Sequence, residues 1–263
     1  MSSLSIIIVN YRSGKLLPAC LESLIHSGIE EEFEILIVNN DAPGDLVSLN
    51  TRQWPNTRVL QNGSNLGLAA AVNRAYEEAR GQFLLLLNPD VQVLPKSVSI
   101  LLDTLRKEAQ AGIVVPKLQY PDGRLQLSCR RFYNYRALLF RRGPWKAAFA
   151  RHPEVRRHLM EDWDHATLTS IDWALGAAML IRREAAQKTN LLDERFFLYF
   201  EDVDLCLGMH QRGWSVLYDP ASCMIHHHQR DSANFFSWRA KQRHCWSLAQ
   251  FLFKHRFLIG VPK

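Results

Sequence analysis

Three stretches of this chain run apolar and then stop on an amide or an acid: "LSIIIVN" (4–10), "FEILIVNND" (33–41) and "FLLLLNPD" (83–90). An apolar run bounded by a turn signal suits a strand buried on both faces. Pro89 cannot continue a central strand, so Asn88 and Asp90 are expected just past its carboxyl end. In open α/β sheets that edge is where ligands bind. A single Asn-Pro-Asp turn is ordinary turn chemistry. Three polar strand ends in one order point to one crevice.

Between these runs the spacing turns helical. "KLLPACLESLIHSG" places Leu17, Cys20, Leu21, Leu24 and Ile25 on one face and ends on Gly28. "GLAAAVNRAYEEARG" (67–81) and "PKSVSILLDTLRKEAQ" (95–110) read as two more helices, "TRVLQN" (57–62) and "AGIVVPKL" (111–118) as two more strands. Alternation of this kind predicts an α/β fold with a mainly parallel sheet and helices on both faces. The second half is less regular. Residues 124–165 are rich in Arg, aromatic residues and His, with a break at Gly143 and Pro144, and read as an excursion from the core. "IDWALGAAMLIRREAAQ" (171–187) reads as an apolar segment running into a short helix. "DERFFLYFEDVDLCLGMHQRGWSVLYDP" (193–220) joins aromatics and acids to a helix ending at Gly213 and a strand.

The 263 residues suffice for a large core. No apolar run approaches the roughly 18–20 residues of a membrane-spanning helix. The N-terminus lacks a basic region before its apolar stretch and reads as the first strand, not an export signal. Five scattered cysteines without a C-x-x-C pair argue against a disulfide framework or a zinc-thiolate site, and predict a reducing cytoplasm. The net charge of +6 is unevenly spread: residues 124–157 carry +9, residues 239–263 carry +6, and the remainder −9. Such segregation points to anionic partners.

Asn88 and Asp90 offer hard oxygen ligands suited to Mg²⁺ or Mn²⁺. "FEDVD" supplies Glu201, Asp202 and Asp204 at a helix start, where capping accounts for one or two acids but not for three behind an aromatic wall. A carboxylate in that setting holds its proton more tightly and suits a general base. "MIHHH" places His226, His227 and His228 after a strand, where a metal can use one. "NGSNLGLAAAVNRA" (62–75) is a glycine-containing turn into a helix, and it matches neither G-x-G-x-x-G nor the P-loop pattern.

Taken in order, "IIIVNYRSG", "IVNND", "NLGLAAAVNRA", "LNPDV", "DWALGAAMLIRR" and "FFLYFEDVDLCL" resemble the family 2 glycosyltransferases of the GT-A fold. The last two strings followed by "MIHHH" most resemble bacterial rhamnosyltransferases of cell-surface polysaccharide synthesis. The resemblance spans about residues 4–245. It implies a single GT-A domain in which residues 1–120 bind a nucleotide sugar and residues 121–263, with a basic C-terminal helix, supply the acceptor side and catalysis. It puts Asn10, Tyr11 and Asp41 at the nucleotide base and ribose, and Asn65, Gly67 and Asn73 over the nucleotide. It makes Asp90, with Asn88 where many members carry a second Asp, the ligand of a divalent metal, completed by His226. It assigns the general base to Asp202, with Trp173 and Glu201 on the acceptor side. The implied reaction is an inverting transfer, with dTDP-rhamnose as donor or a UDP-hexose as the alternative. The implied acceptor is a saccharide on polyprenyl pyrophosphate, or a lipid phosphate such as dolichol phosphate.

A nucleic-acid-binding module is the competing class, suggested by the Arg-rich, aromatic stretch 130–149. No helix-turn-helix, zinc-finger or RNP string supports it, and the strand-end acids would repel phosphate backbones. For the two basic segments the expected partner is instead the anionic inner leaflet of the cell membrane, contacted peripherally from the cytoplasm.

Overall fold

A computed structural model describes residues 3–41, 46, 53–54, 56–142, 147–186, 190–227 and 238–255. Gly143, Pro144, His228 and the basic residues beyond 255 lie outside these. In chain order the elements are β1 (Leu4–Asn10), α1 (Leu17–Ile25), β2 (Phe33–Asn39), β3 (Thr57–Gln61), α2 (Leu68–Glu78), β4 (Phe83–Leu87), β5 (Val91–Val93), α3 (Ser97–Lys107) and β6 (Ala111–Gln119). There follow β7 (Cys129–Arg130), α4 (Tyr135–Arg142), α5 (Pro153–Leu159), β8 (Thr169–Ile171), β9 (Trp173–Ala174), β10 (Ala178–Arg182), α6 (Glu201–Gln211), β11 (Ser215–His226) and α7 (Trp238–Lys254).

One sheet runs in the order β3-β2-β1-β4-β10-β6-β11-β5, with β8 paired to β11. β3, β2, β1 and β4 are mutually parallel, as are β6 and β11. The apolar runs become strands because alternate side chains pack against helices on opposite faces. Ile6, Ile8, Ile35, Ile37, Leu85 and Leu87 meet α1 and α3 on one face. Ile7, Leu36, Val38, Leu84 and Leu86 meet α2 and α6 on the other. All five residues of β4 are buried. The "LLLL" run is thus a central strand covered on both sides.

The apolar segment 171–187 resolves differently from its sequence reading. Ala178–Arg182 form β10, which inserts antiparallel between β4 and β6 and is followed only by a 3-10 turn at Arg183–Ala185. Its four buried residues, Ala178 to Ile181, give no period-2 alternation, because both faces of a central strand are covered. The first and second halves of the chain thereby share one sheet.

The basic segments are less bare than their composition suggests. Arg124 pairs with Asp122, Arg131 with Asp172, and Arg156 with Glu161 and Asp162. All of these pairs draw their acid from outside the segment, so the +9 is partly met locally.

Candidate active site

Because β1, β2 and β4 are parallel and in register, their carboxyl ends fall on one edge. Asn10 and Asn39 are level there, and Asn10 Nδ2 donates to Asn39 Oδ1 at 2.9 Å, while Asn39 Nδ2 donates to Gln61 Oε1 at 2.8 Å. The Asn10 carboxamide oxygen accepts from the Ser13 amide and hydroxyl. Asn10 is fully buried, so its side chain braces the edge from within and does not project into the crevice. The exposed rim is Tyr11, with Arg12 over its ring at 5.2 Å and Asp41 3.8 Å from Arg12 Nε. Arg12, at a left-handed φ of 55°, was not singled out by sequence reasoning. Nor was Asn40, whose amide binds Asn65 Oδ1 and Gly67 O and whose oxygen accepts from Asn62 and Leu66. Three consecutive polar residues in "NND" were the available signal for it.

Asn65 accepts from the Gly67 amide at 2.9 Å and turns the chain into α2. Gly67 has φ 90°, and a Cβ there would stand 2.8 Å from the Phe197 ring and carbonyl oxygen. Only glycine combines that backbone with that closeness. The same loop is held by Asn73, which donates to Leu192 O and Glu194 Oε1 and accepts from the Leu192 amide. Asn73 is buried, so its polar atoms serve this loop rather than the crevice.

The loop delivers "FEDVD". Tyr199 and Phe200 both adopt φ of 71°, a costly conformation outside glycine, and α6 begins without a side-chain cap. Its three acids separate. Asp204 is buried and accepts from Lys254 Nζ and His255 Nε2, each at 2.7 Å, fastening the end of α7. Asp202 is half-buried; its Oδ1 accepts from the Val203 amide at 2.8 Å and its Oδ2 from the Gly176 amide at 3.2 Å. Burial raises its pKa to about 6, against the pull of those two amides and the charge of Arg130. Glu201 is buried and its Oε2 has no hydrogen-bond partner among the described residues. Burial, then the charge of Asp202, raises its pKa to about 8. Both line a small cavity of roughly 30 Å³ with Asn88 and Gly176.

On the other side of Asn88, whose amide donates to Ala177 O, stands Asp90. Its carboxylate is 3.3 Å from His226 Nε2, and His226 Nδ1 lies 2.8 Å from Gln126 Oε1. The Gln126 carboxamide thus holds the Nδ1 edge of the ring, and Nε2 is the nitrogen turned to Asp90. Gln126 is a further residue that sequence reasoning missed; nothing in its local string marks it. His227 is exposed and contacts Gln92 at 3.4 Å. Among the described residues no group of three or more His, Cys, Asp or Glu could hold a metal.

Trp173 lies in the core, donating from Nε1 to Arg131 O and paired across β7–β9 with buried Arg130.

Residues 5–188 match the model described as glycosyl transferase family 2. The chain belongs to that family. A relative from Mycobacterium tuberculosis, N-acetylglucosaminyl-diphospho-decaprenol L-rhamnosyltransferase, is 30% identical over 243 residues, covering 85% of this chain and 76% of its own. The rhamnosyltransferase WbbL of Escherichia coli is 37% identical over 90 residues, 34% of each chain. Among solved structures, the mannosyltransferase PcManGT of Pyrobaculum calidifontis, in complex with GDP-Man and Mn²⁺, aligns with a TM-score of 0.65 at 14% identity. It covers 99% of this chain, which spans 66% of it. The protein is therefore a glycosyltransferase with a GT-A fold.

Proposed function

We propose that this transferase moves rhamnose from dTDP-rhamnose, with inversion, to a saccharide carried on a polyprenyl diphosphate, in the assembly of a cell-surface polysaccharide. The observation that carries the reading is the pairing, across the end of β4, of one base and one anion-handling site. Asp202 stands on the Gly176 amide on one side, and Asp90 faces His226 on the other. The names of the mycobacterial and Escherichia coli relatives supply the choice of sugar, and the former the diphosphate-linked acceptor. In this reading residues 1–120 hold the donor and residues 121–263 the acceptor and the base.

Asp202, ionised above about pH 6, accepts the proton of the acceptor hydroxyl as that oxygen attacks the anomeric carbon. The bond from that carbon to the diphosphate breaks on the opposite face, and the nucleoside diphosphate departs. No covalent intermediate forms, so one displacement inverts the configuration. Tyr11 and Asp41 at the rim meet the base and ribose. Asn10 and Asn73 act from behind, one stiffening the edge and the other holding the loop that brings Asp202 in.

Asp90 and His226 fit a divalent cation, Mg²⁺ or Mn²⁺. Their facing atoms are 3.3 Å apart, close to the roughly 3 Å between neighbouring ligands of a cation with bonds of about 2.1 Å. Gln126 on Nδ1 fixes the imidazole in the orientation a ligand needs. When bound, such a cation would offset the charge gathering on the leaving diphosphate.

No described helix is long and apolar enough to cross a membrane. Work on a lipid-linked acceptor calls for surface contact from the cytoplasmic side, and the exposed apolar residues beside basic ones suit it. Tyr135 and Leu139 on α4 flank exposed Arg136, and Trp246 and Phe253 lie seven residues apart on α7. Large apolar side chains beside cations bind anionic bilayers at the interface.

Asp202→Asn should cut turnover by about 10²–10⁴ while calorimetry shows donor binding nearly unchanged; normal turnover would remove Asp202 as base. In wild type the rate should fall below about pH 6 as Asp202 takes up its proton. Asp90→Ala and His226→Ala should each weaken Mn²⁺-dependent donor binding, and His227→Ala should not. Equal donor affinity in EDTA and in Mn²⁺ would contradict the metal site. Co-sedimentation with vesicles should show binding to anionic but not neutral lipid, fading with salt and reduced in Trp246→Ala/Phe253→Ala.

A further inference from the structure

We infer that Glu201 works as a neutral carboxylic acid, a positioning residue that donates a hydrogen bond into the cavity it shares with Asp202 and leaves Asp202 the sole anion of the pair. The inference rests on Asp202 being the base.

Glu201 opens α6, is 7% exposed, and leaves Oε2 without a hydrogen-bond partner among the described residues. The walls it meets are largely apolar, among them Ile7, Val72 and Met179. The charged and titratable groups around it give it no cation. Asp202 on the same helix is an anion. Asp204 turns away to Lys254 and His255 of α7. Arg130 of β7 acts on Asp202, and its Nη1 is spent on Cys129 O. His244 of α7 packs against the Phe200 ring. From β4 the nearest polar wall is the uncharged Asn88. An ionised carboxylate here would be buried beside the Asp202 anion with little beyond its own backbone amide to offset it, at a cost that proteins avoid by keeping the group neutral. Protonated, Glu201 is a hydrogen-bond donor, and the cavity holds the acceptors it needs: the Asp202 carboxylate and the Asn88 oxygen. Roughly 30 Å³ admits a bridging water.

The pair then has distinct ranges. The amides of Val203 and Gly176 favour the anion of Asp202, while burial beside that anion holds the proton on Glu201, so Asp202 is the first of the pair to ionise and Glu201 the last. Between them one charge faces the acceptor hydroxyl. Above pH 8 a second anion enters the site, where it repels the diphosphate of the donor.

For stability, the folded state holds the Glu201 proton more tightly than the unfolded chain, whose glutamate ionises near pH 4.3. Wild type therefore loses stability as pH rises from about 4.5 to about 8. Glu201→Gln keeps the shape and a donor but cannot ionise. Its Tm relative to wild type should climb between pH 5 and pH 8. The fall in turnover above pH 8 that the wild type shows should vanish in this variant. Glu201→Leu, which cannot donate, should lose about tenfold or more. In the wild-type protein the Glu201 side-chain carbon, followed by ¹³C NMR, should titrate near pH 8. A Tm difference constant from pH 5 to 8, a Glu201 titration near pH 4–5, or an alkaline fall that persists in folded Glu201→Gln would each overturn the inference. The Tm and NMR readings do not depend on Asp202 being the base, so they separate failure of this inference from failure of that assignment.

Discussion

A strand buried on both faces carries a polar side chain only where a partner is supplied, and a wholly apolar one puts its first polar side chains beyond its last residue. β4 is such a strand, and the end of its apolar run sets where Asn88 and Asp90 emerge. Its parallel neighbour β1 ends on the same edge, and β10, antiparallel beside it, brings Gly176 and Ala177 to that edge from the opposite direction. The Asn88 amide then ties to Ala177 O, and the neighbouring Gly176 amide is left to hold Asp202. Asp202 and the Asp90–His226 pair thus stand on either side of one strand end, because β4 itself carries no polar side chain.

Asp202 is held in turn by contacts far from it in sequence. Gly67 lets the loop carrying Phe197 lie against the start of α2, and Asn73 pins its earlier part. From the other side α7 grips the same region: Ser247 donates to Leu198 O, and Lys254 bridges Asp193 and Asp204. Burial of these ion pairs makes them costly to break singly. A loop under that much restraint keeps two left-handed residues, Tyr199 and Phe200, in place and presents Asp202 at a fixed height above the sheet.

What the sequence made legible follows from periodicity and from strings. Buried runs announced β1, β2 and β4, and the helical spacing of α1, α2 and α3 was plain, because each buries one face against the sheet. β10 escaped because a central strand has no alternation to read. Asp90, His226 and Asp202 stand out as polar residues at strand and helix ends. Whether a polar side chain faces the crevice or braces it depends on partners that the string does not contain. Asn10 is taken up by Asn39 and Ser13, Asn73 by Leu192 and Glu194, and Trp173 by Arg131, and all three partnerships are tertiary. Gln126 was invisible for the same reason: its place on His226 is made by a contact across 100 residues.

The proposed chemistry turns on a single displacement at the anomeric carbon with one carboxylate as base. The most direct measurement supplies purified protein with dTDP-rhamnose, UDP-hexoses and a short-chain N-acetylglucosaminyl diphospholipid, with Mn²⁺ or Mg²⁺. It reads nucleoside diphosphate release, and the anomeric configuration of the product by NMR. Rhamnose transferred with configuration opposite to that of the donor is the expected result. Retained configuration, or turnover of a UDP-hexose in preference to dTDP-rhamnose, would contradict it.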